Sequence, residues 1–160
     1  MTSIGTKYYQ LKTKLKSIPY NTGWHLRLNQ STIKKARGSR ILVYHGICRE
    51  KPFQFNTLFI TIKTLENHLR FYKKYFNIVS LDDYYQQKFS AEKYNICLSF
   101  DDGFANNYKY VLPLLEQYEI PAHFFITGIR DTGYDILWND LLSIANKHGS
   151  ADLTHAWREC

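Results

Sequence analysis

The sequence predicts an α/β domain built on a largely parallel sheet. From Arg40 onward, strand-like and helix-like segments alternate with turn residues between them, the order that successive βα units produce. One strand-like run, NICLSF over residues 95–100, is mostly apolar and stops abruptly at Asp101, Asp102 and Gly103, as a buried strand does where it reaches a ligand-bearing rim. The 160 residues are 44% hydrophobic and 16% aromatic, enough for one domain with a real core and unlike a disordered or fibrous chain.

Residues 1–40 precede the alternation as a basic arm or helix. They hold nine Lys/Arg and no acid, whereas the other 120 residues of this +7 chain sum to −2. Such an arm reads as a solvated face, with weak contact to an anionic membrane surface as a side expectation and no nucleic-acid partner expected. The first strand is ILVYH (41–45), closed by Gly46. Leu58, Ile62, Leu65, Leu69, Tyr72 and Phe76 then recur at spacings of four and three, one face of an amphipathic helix. NIVSL (77–81) is the second strand. Ser80 or Asp82 next offers an oxygen to the free amides of a helix through DDYYQQKF, so Asp82 and Asp83 read as capping residues.

The third strand, YNICLSF (94–100), leads into FANNYKYVLPLLEQY, which is helical in pattern but carries Pro113, a residue expected to end or kink the helix. PAHFFITG (121–128) is the fourth strand, and ILWNDLLSIANKHG is a further amphipathic helix with Gly149 as its stop signal. The last residues, SADLTHAWREC, carry no readable pattern.

No run of 18 apolar residues exists, and the basic N-terminus is not followed by an apolar signal core. The expectation is a cytoplasmic chain or one peripheral to the inner face of the membrane. Cys48, Cys97 and Cys160 form no close metal or redox pair; Cys97, inside an apolar run, reads as a core residue.

The chemistry concentrates at Asp101 and Asp102. Alternate side chains of a strand face opposite sides, so both carboxylates reach one pocket only if the strand ends, and Gly103 permits the turn that ends it. Two close carboxylates repel and raise one pKa unless a cation or donor compensates. A divalent metal would take one as a ligand and leave the other as a base towards water; the competing reading is a simple helix cap. His45, at the end of the first strand, shares that rim, either as a substrate contact or as a satisfied rim histidine.

The stretch LSFDDGF (98–104) resembles the first motif of the polysaccharide deacetylase family, the NodB-homology domain of carbohydrate esterase family four. ILVYHGI, the helix before FNIVSLDDYY, and LPLLEQYEIPAHFFITG stand in the family's order and spacing, over about residues 40–128. The resemblance implies a distorted (β/α) barrel that removes N-acetyl groups from an oligosaccharide or polysaccharide. It implies Asp101 as the general base, Asp102 as a metal ligand, most simply to zinc, and His45 as a substrate-binding residue. His123 stands where the family shows Thr and reads as structural.

The family's second motif, H-S/T-x-x-H, supplies two more ligands, and no two histidines here are four apart; His148 and His155 are seven apart. A closed barrel needs roughly 250 residues. The expectation is therefore an incomplete barrel: residues 41–160 as the N-terminal part of a deacetylase domain, truncated before the second motif and inactive as this fragment. The alternative is a degenerate, non-catalytic glycan-binding domain of the same fold. A receiver-like domain, which also carries an acidic pair at a strand end, fits poorly because the pair here ends the third strand and the next strand ends without Asp.

Overall fold

A computed structural model of the protein describes residues 29–50, 58–134 and 136–148. A short helix α1 (Gln30–Lys35) leads to strand β1 (Ser39–Tyr44), then β2 (Ile47–Cys48), β3 (Ile60–Thr61), helix α2 (Ile62–Tyr75), β4 (Asn77–Ile78), α3 (Leu81–Tyr85) and β5 (Asn95–Phe100). A π-helical turn (Asn107–Val111) runs into α4 (Leu112–Tyr118), followed by β6 (His123–Phe124), a 3-10 turn (Ile129–Thr132) and α5 (Trp138–His148). The architecture is mixed α/β, and every strand pair among the described residues is parallel.

β5 is the centre of the main sheet. β1 runs beside its whole length, from Ser39 opposite Asn95 to Tyr44 opposite Phe100. The other edge is shared: β4 pairs with Asn95 and Ile96, and β6 with Ser99 and Phe100. Backbone polarity accounts for the sharing. In a parallel ladder alternate residues point their amide groups to alternate edges; the amides of Asn95 and Asp101 bond to Gly38 and Tyr44 on the β1 side. The carbonyls of Tyr94, Ile96 and Phe100 accept from Asn77, Val79 and Phe125 on the other. β2 and β3 form a separate two-stranded parallel sheet that the sequence did not announce.

α2 covers one face of this sheet. Leu65 and Leu69 are fully buried among Ile96, Leu98, Phe100, Val111 and Leu115, and each such side chain contributes about 1.5–3 kcal/mol of burial. The helix starts at Ile62 rather than at Leu58, because Ile60 and Thr61 are held as a strand and the Thr61 hydroxyl accepts the Thr64 N–H at 3.1 Å. Leu58 lies outside the helix.

Other boundaries also differ from expectation. The strands expected over 77–81 and 121–128 contract to two residues each, since β5 offers them only half an edge apiece. Ser80, not Asp82, caps α3, accepting the Asp83 N–H at 3.1 Å and donating to the Asp83 carboxylate at 2.9 Å; α3 spans five residues only. Pro113 neither ends nor breaks its helix. It sits at the start of α4, directly after the π-helical turn, in which the Leu112 N–H reaches back five residues to Asn107 O. The wider turn absorbs a residue that cannot continue the ordinary ladder. α5 forms as expected, while its stop signal Gly149, together with His155, Cys160 and residues 1–28 of the basic arm, lies outside the described residues. Cys97 is buried, as its apolar run implied, and burial pushes its thiol pKa up.

Candidate active site

The ends of three strands define the site. Tyr44, Phe100 and Phe124 are neighbouring register partners, and their rings stack in a row, each 5.2 Å from the next. The residues that follow, His45 and Asp101, therefore leave the sheet at the same carboxyl-end rim, tied by the Asp101 N–H bonding to Tyr44 O at 2.8 Å. Parallel pairing makes this unavoidable: strands in register and in the same direction must release their next residues side by side.

Asp101 keeps the alternation of the strand. It lies on the face opposite Phe100, where the buried Ser99 donates its hydroxyl to Asp101 Oδ1 at 2.6 Å. Asp102 breaks the alternation. Its φ of 71° is left-handed, and Gly103 follows at 64°. The turn expected at Gly103 thus begins one residue earlier, on an aspartate, a residue type that tolerates this region better than most. Left-handed backbone at a non-glycine residue is costly and gathers at functional positions.

The consequence is that the two aspartates have different surroundings. Asp102 lines a cleft of about 320 Å³ together with Gly103, Phe104, Ile126, Thr127 and, from the first turn of α5, Asp140. Asp101 is held back against Ser99. The structure therefore brings Asp101, Asp102 and His45 to one rim, but it places only Asp102 on the cleft wall. A second groove, about 330 Å³ and more apolar, shares Gly103 and Phe104 and is bordered by Tyr108, Leu112, Phe124 and Ile126.

Several residues of this region were missed from the sequence. Ser99 had a signal, since a residue two before Asp101 in a strand shares its face. Asp140 had none, because only the folding of α5 over the rim brings it to the cleft. Asn106 and Phe59 likewise join segments remote in sequence, Asn106 by bonding to Ile47 and Phe59 by packing on Phe104. His123, read as structural, is half-buried in β6 opposite Ser99, its ring 4.6 Å from that of Phe125.

The donor set does not complete a metal centre: among the described residues no group of three or more His, Cys, Asp and Glu could hold an ion. Nor is any described helix long and apolar enough to cross a membrane.

The site is thus an acidic turn at the carboxyl end of the central strand of a parallel α/β sheet. Residues 88–158 match the model of the polysaccharide deacetylase family. Among solved structures it is similar to a de-N-acetylase from Aggregatibacter actinomycetemcomitans, with 29% identity over 54% of this chain and 36% of that one and a TM-score of 0.45. It is also similar to the Streptococcus pyogenes deacetylase PplD (24% identity, 58% and 44% covered, TM-score 0.49) and to IcaB from Ammonifex degensii (21%, 57% and 39%, 0.48). The chain spans less than half the length of each of these structures. No curated protein matches the sequence.

Proposed function

We propose that this chain supplies the N-terminal, acid-bearing part of a hydrolase that removes N-acetyl groups from an oligosaccharide or polysaccharide. The observation that carries the reading is the Asp101-Asp102-Gly103 turn at the carboxyl end of β5, inside the segment that matches the family.

In this reading Asp101 is the general base. The Ser99 hydroxyl fixes one carboxylate oxygen at 2.6 Å and so orients the other towards a water attacking the acetamide carbonyl. Asp102 is the ligand to a divalent metal, zinc by preference, and His45 touches substrate from the neighbouring strand end. The described residues do not furnish the rest of a metal site, so the chemistry they can perform by themselves stops at the carboxylates; the reading includes a 160-residue chain that is inactive on its own. The alternative reading is a non-catalytic glycan-binding domain that keeps the fold. Contact of residues 1–40 with anionic lipid, and a cytoplasmic or membrane-peripheral location, belong to this proposal and rest on the charge of the arm.

The test measures bound zinc and released acetate on purified Asp101→Asn and Asp102→Asn variants of a longer form of the protein that releases acetate. Asp101→Asn should keep the metal and lower acetate release by roughly 10²- to 10⁴-fold; Asp102→Asn should lose both together. Acetate release unaffected by either change in an active form would reduce the pair to a helix cap. Glycan binding without acetate release in any form would favour the second reading.

A further inference from the structure

His45 and Asp101 share a rim, but a rim alone does not hold two loops at a fixed distance. The loop after β1 is held from elsewhere. Ile47, two residues beyond His45, is 1% exposed, and its N–H donates to the side-chain Oδ1 of Asn106 at 3.1 Å, across 59 residues of sequence. Asn106 lies five residues past Asp101, at the start of the helix that follows the aspartate turn. An asparagine there ordinarily caps its own helix. This one makes no bond to its own helix's amides and spends its carbonyl on the other loop.

A second tie runs through Phe59. Its ring lies so close over Gly46 that a Cβ there would collide with Phe59 Cε1, which accounts for glycine directly after His45. The same ring meets Phe104, the residue after Gly103, edge to face at 5.1 Å. Phe59 is buried, and the Ile60 N–H bonds to Gly46 O at 3.2 Å, which keeps the ring in place. Both ties join residues flanking His45 to residues flanking the two aspartates.

We propose that Asn106 and Phe59 are positioning residues: they lock the His45 loop to the aspartate turn, so that the spacing of His45 and Asp101 is set before substrate arrives. The proposal deepens the deacetylase reading and rests on it for its role in catalysis, whereas the lock itself does not.

The experiment is amide hydrogen exchange by NMR on the full chain, comparing Asn106→Leu, Asn106→Asp and Phe59→Leu. Asn106→Leu should lower protection of Ile47 by about tenfold, the loss expected for one buried hydrogen bond, and loosen Gly46 and Gly103 with it. Leu65 and Leu98 in the core should be unchanged. Asn106→Asp keeps the acceptor and should restore Ile47; Phe59→Leu should loosen the same two loops by the other tie. A uniform loss across core and loops makes Asn106 an ordinary stabiliser and overturns the proposal, as does failure of Asn106→Asp to restore protection. In an active form, kcat for acetate release should fall with Asn106→Leu while KM holds. Local loosening with unchanged kcat overturns the positioning role and leaves the deacetylase reading standing. Absence of acetate release from every form ends that reading, and the exchange pattern still decides the lock.

Discussion

Replacing Gly103 by alanine tests the backbone geometry on which the acidic turn depends. At φ +64° any residue with a Cβ is strained, by roughly 1–2 kcal/mol. The new Cβ would also stand 3.0 Å from Ile126 Cγ2 and 3.2 Å from Ile126 Cα. The side chain is 80% exposed and can swing away. The Cα cannot move as freely, because the preceding residue is anchored by the Phe125 N–H bonding to Phe100 O at 2.9 Å. That contact adds about 1 kcal/mol, the lower end of the range for overpacking. Gly133 provides the control: its φ is +81°, and a Cβ there meets nothing within 4 Å. Gly133→Ala should therefore cost the conformational part alone. Urea denaturation followed by circular dichroism should give about 2–3 kcal/mol for Gly103→Ala and about 1–2 kcal/mol for Gly133→Ala. In a chain of this size these losses correspond to melting-temperature drops of roughly 5–10 °C and 3–6 °C. Equal losses for the two variants would refute the claim that the segment after β6 packs against the turn, and no loss at Gly103 would refute the turn itself.

Three further outcomes are expected. Asn107 is 2% exposed and neither atom of its amide has a hydrogen-bond partner among the described residues, so Asn107→Leu should stabilise the chain by about 1 kcal/mol or more in the same urea assay; a loss of stability would mean that the amide is satisfied. Ser99→Ala removes the hydroxyl that holds Asp101 and should cost about 1–2 kcal/mol; an unchanged urea midpoint would mean that the bond contributes nothing net. His68, whose Nδ1 lies 3.0 Å from the Tyr44 hydroxyl, has its pKa lowered by burial. The unfolded chain therefore takes up that proton first, at the ordinary imidazole value of about 6.5, and stability must fall as pH drops below it. Urea midpoints from pH 7.5 to 5.5 should decline in the native chain and decline less in His68→Gln; identical slopes would exclude His68 as the cause.

Local signals carried much of the fold. The run 95–100 announced β5 because a strand buried on both faces is apolar without alternation, and all six residues are buried. The 3.6-residue period announced α2, since Leu65 and Leu69 must share the face turned to the sheet. The Asp-Asp-Gly ending announced a turn because only residues tolerant of left-handed backbone stand there. Where a rule about neighbours met a longer-range demand, it failed. Pro113 was expected to end or kink its helix, yet the helix runs on past it behind a π-helical turn; Leu58 had the right spacing for α2, yet pairing of β3 with β2 delayed the helix to Ile62. What the tertiary structure alone decided are the meetings between remote segments: β4 and β6 sharing one edge of β5, Asp140 arriving at the cleft beside Asp102, and Asn106 reaching Ile47. Periodicity and turn chemistry act over a few residues and are written in order along the chain. Contacts across dozens of residues depend on which strand edge is open and which face is unfilled, and those vacancies come into being only as the sheet assembles.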